Sequence, residues 1–169
     1  MLTALASRRP SPRGVAGAAV LSAGLLLSGC GGDDVHVDRF PVSAAGHETC
    51  QRLLSVLPDT VAEQRRRTVT GSTYAAAWGD PAIVLRCGAP LPKSFAGDPC
   101  ITRNGIGWSV PSDQADDLHL DAVMTLAFRS PVLQVRVPAH YRPNGPAEVM
   151  ADLDAVVRAH TVSTGKHCS

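Results

Sequence analysis

An aromatic ring, a carboxylate and a guanidinium lie within nine residues in the segment from Trp78 through Asp80 to Arg86. Near strand ends, these three could line a small-ligand cleft. The same residues suit a structural role, which is favoured. Gly79-Asp80-Pro81 is a turn signal, Asp80 can cap backbone N–H groups, and Arg86 can pair with Asp80 across the strand end. Trp108 is likewise expected as a core anchor before a ligand platform. His119 and Asp121 would share one face of a strand. A metal site needs at least three convergent ligands, so no metal or other cofactor is expected. His140, His160 and His167 read as surface residues. Arg65-Arg66-Arg67 could meet anionic polymer or headgroups, but such a run is usually a solvated loop. Asp113, Asp116, Asp117 and Asp121 lack the Gly and Glu of a calcium-binding EF-hand loop. The chain has no G-x-S-x-G elbow, phosphate-cradling loop or dinucleotide fingerprint. No catalytic residue is assigned.

The cysteines are more informative. Cys50, Cys87, Cys100 and Cys168 are an even set, which outside the cytoplasm suggests two disulfides. Three pairings are possible. The favoured one joins Cys50 to Cys87, an early helix to a core strand, and Cys100 to Cys168, the C-terminal tail to the sheet. Wide spacing and the lack of any C-x-x-C pair argue against zinc. A reactive Cys87 with a His partner is a further alternative.

Cys30 stands apart from these four. Residues 1–29 hold Arg8, Arg9 and Arg13 and no acid, with an apolar run of 13 residues from Val15 to Leu27. That length fits a signal-peptide core of ~7–15 residues and falls short of the ~20 of a spanning helix. The run closes on Leu27-Ser28-Gly29-Cys30, which resembles the lipobox of bacterial lipoproteins. Small residues admit the chain to a peptidase cleft, and the Cys thiol then takes a diacylglycerol. An ordinary signal peptide with a chance Cys is the alternative. Ser7-Arg8-Arg9 resembles a twin-arginine signal only weakly, so the general secretory route is preferred. Cleavage before Cys30 leaves 140 residues with 13 basic and 15 acidic side chains. So mild an acidity gives little pull towards anionic headgroups, and retention falls to the lipid chains.

The elements that must position these groups follow from periodicity. The full chain has 169 residues, a formal charge of +1 and 4% aromatic residues. That is one domain's worth, without the basic excess of a nucleic-acid-binding chain. Residues 30–46 read as the lipidated Cys and a solvated tether, although the alternating apolar residues from Val35 to Val42 would allow a short strand. The folded domain is expected over 47–169. Cys50, Leu53, Leu54 and Leu57 make one helical face over His47–Leu57, ended by Pro58. Ala82–Cys87 suits a buried strand. Asn104-Gly105 joins Cys100–Arg103 to Ile106–Val110 as a hairpin, because both turn positions tolerate positive φ. Pro111–Asp117 reads as a polar loop, His119–Phe128 and Val132–Val137 as strands, and Ala147–His160 as a helix. The order implies an α+β domain: an antiparallel sheet of about 4–6 strands with an N-terminal and a C-terminal helix on one face.

One string carries a family resemblance. Ala77-Trp78-Gly79-Asp80-Pro81, running on to Arg86-Cys87-Gly88, resembles the hallmark of an actinobacterial envelope family, the domain of unknown function numbered 3515. Cys50 with Leu53-Leu54 and Leu57-Pro58, Asn104-Gly105 with Trp108, and Val135-Arg136-Val137-Pro138 with Tyr141 also resemble its pattern. The resemblance spans roughly residues 48–160. It implies an exported or membrane-attached protein with Cys50 and Cys87 paired, and it transfers no activity. The expectation is a non-enzymatic lipoprotein on the outer face of the cytoplasmic membrane, binding or assembling an envelope component, protein or glycan, with the low aromatic content favouring an envelope protein as its partner. A small envelope hydrolase and a solute-capturing accessory are the alternatives. A deep cleft would favour ligand capture or catalysis, and a shallow apolar patch a protein partner.

Overall fold

The computed structural model describes residues 34–96, 98–166 and 168, so the leader and Cys30 lie outside the described residues. The elements run β1 (Val35–Val37), α1 (Ala44–Ser55), β2 (Thr60–Val61), β3 (Gln64–Arg67), β4 (Val69–Gly71), β5 (Ala75–Trp78) and β6 (Ile83–Cys87). They continue as β7 (Cys100–Arg103), β8 (Ile106–Ser109), α2 (Ser112–Asp116), β9 (Ala122–Ala127), β10 (Arg129–Ser130), β11 (Leu133–Val137), α3 (Gly145–His160) and β12 (Val162–Ser163). A single 3-10 turn, Ala139–Tyr141, links β11 to α3.

Eight of these strands form one antiparallel sheet in the order β2-β3-β5-β6-β11-β9-β8-β7. The α+β class holds, but the sheet is wider than expected. Strand β11 lies between β6 and β9, opposite Leu85 on one side and Met124 on the other through Val135. It fuses the early hairpins and the late hairpin into one surface. The arginine run is also a strand: Gln64–Arg67 pairs with β2 and β5. Its turn residues, Ala62 and Glu63, take φ of 47° and 62° without being Gly. Such residues are uncommon in the left-handed region. Asp152 of α3 holds the turn by accepting the Ala62 N–H at 2.7 Å.

Alternation sorts the strands' side chains onto two faces. Trp78, Ile83, Leu85, Cys87, Leu133, Val135, Met124, Leu126 and Trp108 join one core cluster with Cys50 and Leu53 of α1 and Val149, Leu153 and Val157 of α3. The opposite face carries a smaller cluster, Ala77 and Val84 under Val37. Val37 comes from β1, which pairs in parallel with β4. The ordered fold thus reaches back to Val35, within the segment expected as tether, because its alternating valines find apolar cover on the sheet.

Helix α1 begins at Ala44, three residues before the expected start, because the Ser43 side chain caps it by accepting the Gly46 N–H at 3.2 Å. Helix α2 replaces part of the expected polar loop. It is anchored by Gln114, whose Oε1 accepts the Val123 N–H at 2.8 Å. The hairpin at Asn104-Gly105 forms as expected, with φ of 50° and 75° at its two turn residues.

Both expected disulfides are formed. Cys50–Cys87 ties α1 to β6, and Cys100–Cys168 ties the tail to β7. Gly88 follows the first bond at φ +77° and lies so close to Val42 that a Cβ would stand 2.7 Å from it. Beyond Gly88 the chain leaves the interior strand β6 and rejoins the sheet at its edge strand β7.

Candidate functional site

The residues singled out around the Trp-Gly-Asp-Pro string do not converge. Trp78 is 0% exposed, and its indole N–H donates to the Pro58 carbonyl at 2.9 Å. The Arg66 guanidinium covers the same ring at 5.0 Å, and burial pulls the Arg66 pKa down. Trp108 is 1% exposed. Both tryptophans are core anchors, so the ligand-platform option is corrected. A large aromatic residue on the helix-facing side of a central strand has nowhere else to go.

Asp80 and Arg86 are not neighbours either. Trp78 stands opposite Ile83 and Ala75 opposite Arg86, so Arg86 sits at the far end of the β5–β6 hairpin from the Gly79-Asp80 turn. Its guanidinium lies 5.7 Å over the Phe40 ring, on the face covered by β1. The expected pairing with Asp80 is corrected by this register. The turn instead meets Tyr141, whose hydroxyl donates to Gln64 at 3.4 Å and would stand 2.7 Å from a Cβ on Gly79. Burial raises the Tyr141 pKa, and the Asp80 carboxylate adds to the rise, against a backbone hydrogen bond at Asp80 and the charge of Arg67. Arg67 donates to the Gly79 carbonyl at 2.9 Å. These contacts hold the turn, and two arginines of the run are thereby engaged in the fold. Asp121 is likewise occupied, by Arg136 and by the Ala139 N–H, each at 2.9 Å. Among the described residues, no three His, Cys, Asp or Glu side chains group as metal ligands.

The chemistry gathers elsewhere, on the sheet face away from the helices. The pairs Cys100–Ser109 and Ser109–Thr125 place these three residues on that face of β7, β8 and β9. A cleft of about 510 Å³ is lined by Phe95, Asp98, Ser109, Phe128 and Lys166. Residues of the segment before β7, with Lys166 and Cys168 of the tail, contribute to the lining there. A second hollow of about 420 Å³ shares Phe95, Phe128 and Lys166 with this cleft and adds Leu91 and Val132. Both volumes lie in the range of small-molecule sites, ~300–1,000 Å³. Gly107 lacks the side chain that would collide with the Cys168 sulfur, which lets the bridge lie flat on the sheet.

The lining is amphipathic. Phe95 and Phe128 meet edge to face with centroids 6.1 Å apart. Phe128 takes φ 55°, and Thr164 fixes it by donating both its N–H and its hydroxyl to the Phe128 carbonyl, at 2.9 and 3.0 Å. The Ser109 Oγ is buried without a hydrogen-bond partner among the described residues, which ordinarily costs about 1–3 kcal/mol. Asp98 accepts the Ser94 hydroxyl at 2.9 Å. Arg129, at the rim, is committed to Thr161 through two donors. Lys166 is exposed and makes no ion pair with a described residue. The sequence hid this site because its residues come from four separated stretches and match no motif. The one available signal was Lys166, one of two lysines in the chain, standing two residues from Cys168.

Fold and site define a small two-disulfide α+β domain with an amphipathic cleft beneath its stapled tail. The chain belongs to the family described as "Protein of unknown function (DUF3515)", whose model matches residues 14–164. No curated protein and no solved structure matches it.

Proposed function

We propose that the chain is an exported lipoprotein, held on the outer face of the cytoplasmic membrane of an actinobacterium by a lipid on Cys30, and that its domain binds an envelope component without converting it. The observation carrying this reading is the Arg-bearing, acid-free leader ending Leu-Ser-Gly-Cys, set before a domain whose four cysteines all pair. Disulfides persist in oxidising compartments, so the second feature supports export independently of the first. The cleft favours capture of a small ligand, the solute-binding variant, over docking on a flat surface, because concave sites bury most of a small molecule.

Cys30→Ser tests the anchor. The parent should enter the detergent-rich phase of a Triton X-114 separation. The variant should either remain in the aqueous phase or retain its leader, lengthening the chain by residues 1–29. Partitioning and chain length identical to the parent's would contradict the reading.

A further inference from the structure

We infer that the cleft under the stapled tail holds a single-chain amphiphile with an anionic head, of the fatty-carboxylate class. The inference deepens the binding-module reading and rests on it. Three observations carry it. Ser109 is a lining residue whose hydroxyl is buried and unpartnered among the described residues, so a ligand oxygen that reached it would relieve its desolvation. Lys166 borders both hollows and has no anionic partner among the described residues. The second hollow, by contrast, offers Leu91, Phe95, Phe128 and Val132, the surface an acyl chain would bury.

The parts have an order. The head oxygens lie in the first hollow, where Lys166 supplies a charge-assisted hydrogen bond and Ser109 Oγ–H donates a second. The chain passes the Phe95–Phe128 pair into the apolar hollow. Asp98 also lines this first hollow, its carboxylate accepting the Ser94 hydroxyl, and the Lys166 charge must outweigh it at the head. Leu91 is 49% exposed and marks the open end of the apolar hollow. An apolar hollow of about 420 Å³ has room for one acyl chain and not for the two chains of a membrane phospholipid.

The test is equilibrium dialysis of radiolabelled decanoate against the full chain in phosphatidylcholine nanodiscs, with empty nanodiscs as background. Saturable binding with one site per chain is expected. Lys166→Glu should weaken it about tenfold or more, the scale of a lost charge-assisted hydrogen bond. Ser109→Ala should weaken it a few-fold, and decanol should bind more weakly than decanoate. Because Ser109 is buried, thermal midpoints no lower than the parent's and intact disulfides check that both variants are folded. Absence of saturable binding, or equal binding of decanoate and decanol, would overturn the inference. So would selective uptake of phosphatidylglycerol vesicles in place of decanoate. Anchoring through Cys30 is read separately, so its survival alongside failed decanoate binding would refute this inference alone.

Discussion

Trp78→Ala should lower the thermal unfolding midpoint by more than about 10 °C. The indole is wholly buried between β5, β6 and the turn after α1. Removing such a side chain costs about 3–5 kcal/mol through lost burial and the cavity left behind. For a domain of this size, each kcal/mol moves the midpoint by roughly 3–6 °C. The Pro58 carbonyl also loses its donor, and Arg66 loses the ring beneath it. Trp78→Phe separates these contributions. It keeps most of the volume and the cation–π surface but orphans the carbonyl, so it should cost only about 1–2 kcal/mol. Calorimetry of both variants checks the account. A shift under about 2 °C for Trp78→Ala would mean an exposed ring, since surface substitutions stay within ~0.5 kcal/mol.

Loss of the Cys50–Cys87 bond should be of similar size. The bond closes a loop with a sequence separation of 37, which in the chain-entropy model corresponds to about 4 kcal/mol. Both residues are 0% exposed, so the alanine pair also leaves a small void between α1 and β6. The same model assigns slightly more to Cys100–Cys168, with its separation of 68. The two should nevertheless rank the other way. Cys168 lies beyond the last strand, so cutting its bond also frees the native tail, and that entropy offsets part of the loss. Denaturant unfolding of Cys50→Ala/Cys87→Ala beside Cys100→Ala/Cys168→Ala gives both numbers. A first pair as stable as the parent would show that the bond contributes nothing to the fold.

Strong local signals made much of this architecture legible. Asn104-Gly105 announced a hairpin because its two residues tolerate the backbone the turn requires. The apolar run before Cys87 and the stripe of Val149, Leu153 and Val157 announced the central strand and the last helix. The hairpin of β2 and β3 stayed hidden because its turn uses Ala62 and Glu63, neither a usual residue at positive φ. Its second strand is mostly arginine, and Arg66 and Arg67 are reconciled with the sheet only by long-range partners, the Trp78 ring and the Gly79 carbonyl. The place of β11 between β6 and β9 is likewise a non-local fact that periodicity does not encode. Asp80 and Arg86 looked like partners because they are close in sequence. A strand extends ~3.3 Å per residue, and that separates them. The cleft residues Phe95, Ser109, Phe128 and Lys166 are brought together by a crossing segment and a disulfide, neither of which leaves a local pattern.

Intact-mass analysis of protein taken from native membranes, denatured without reductant and treated with iodoacetamide, bears most directly on the whole account. The expected species begins at Cys30, carries a diacylglyceryl thioether there, and shows no alkylation at Cys50, Cys87, Cys100 or Cys168. A different first residue, an unmodified sulfur at position 30, or alkylation at two of the other cysteines would contradict it.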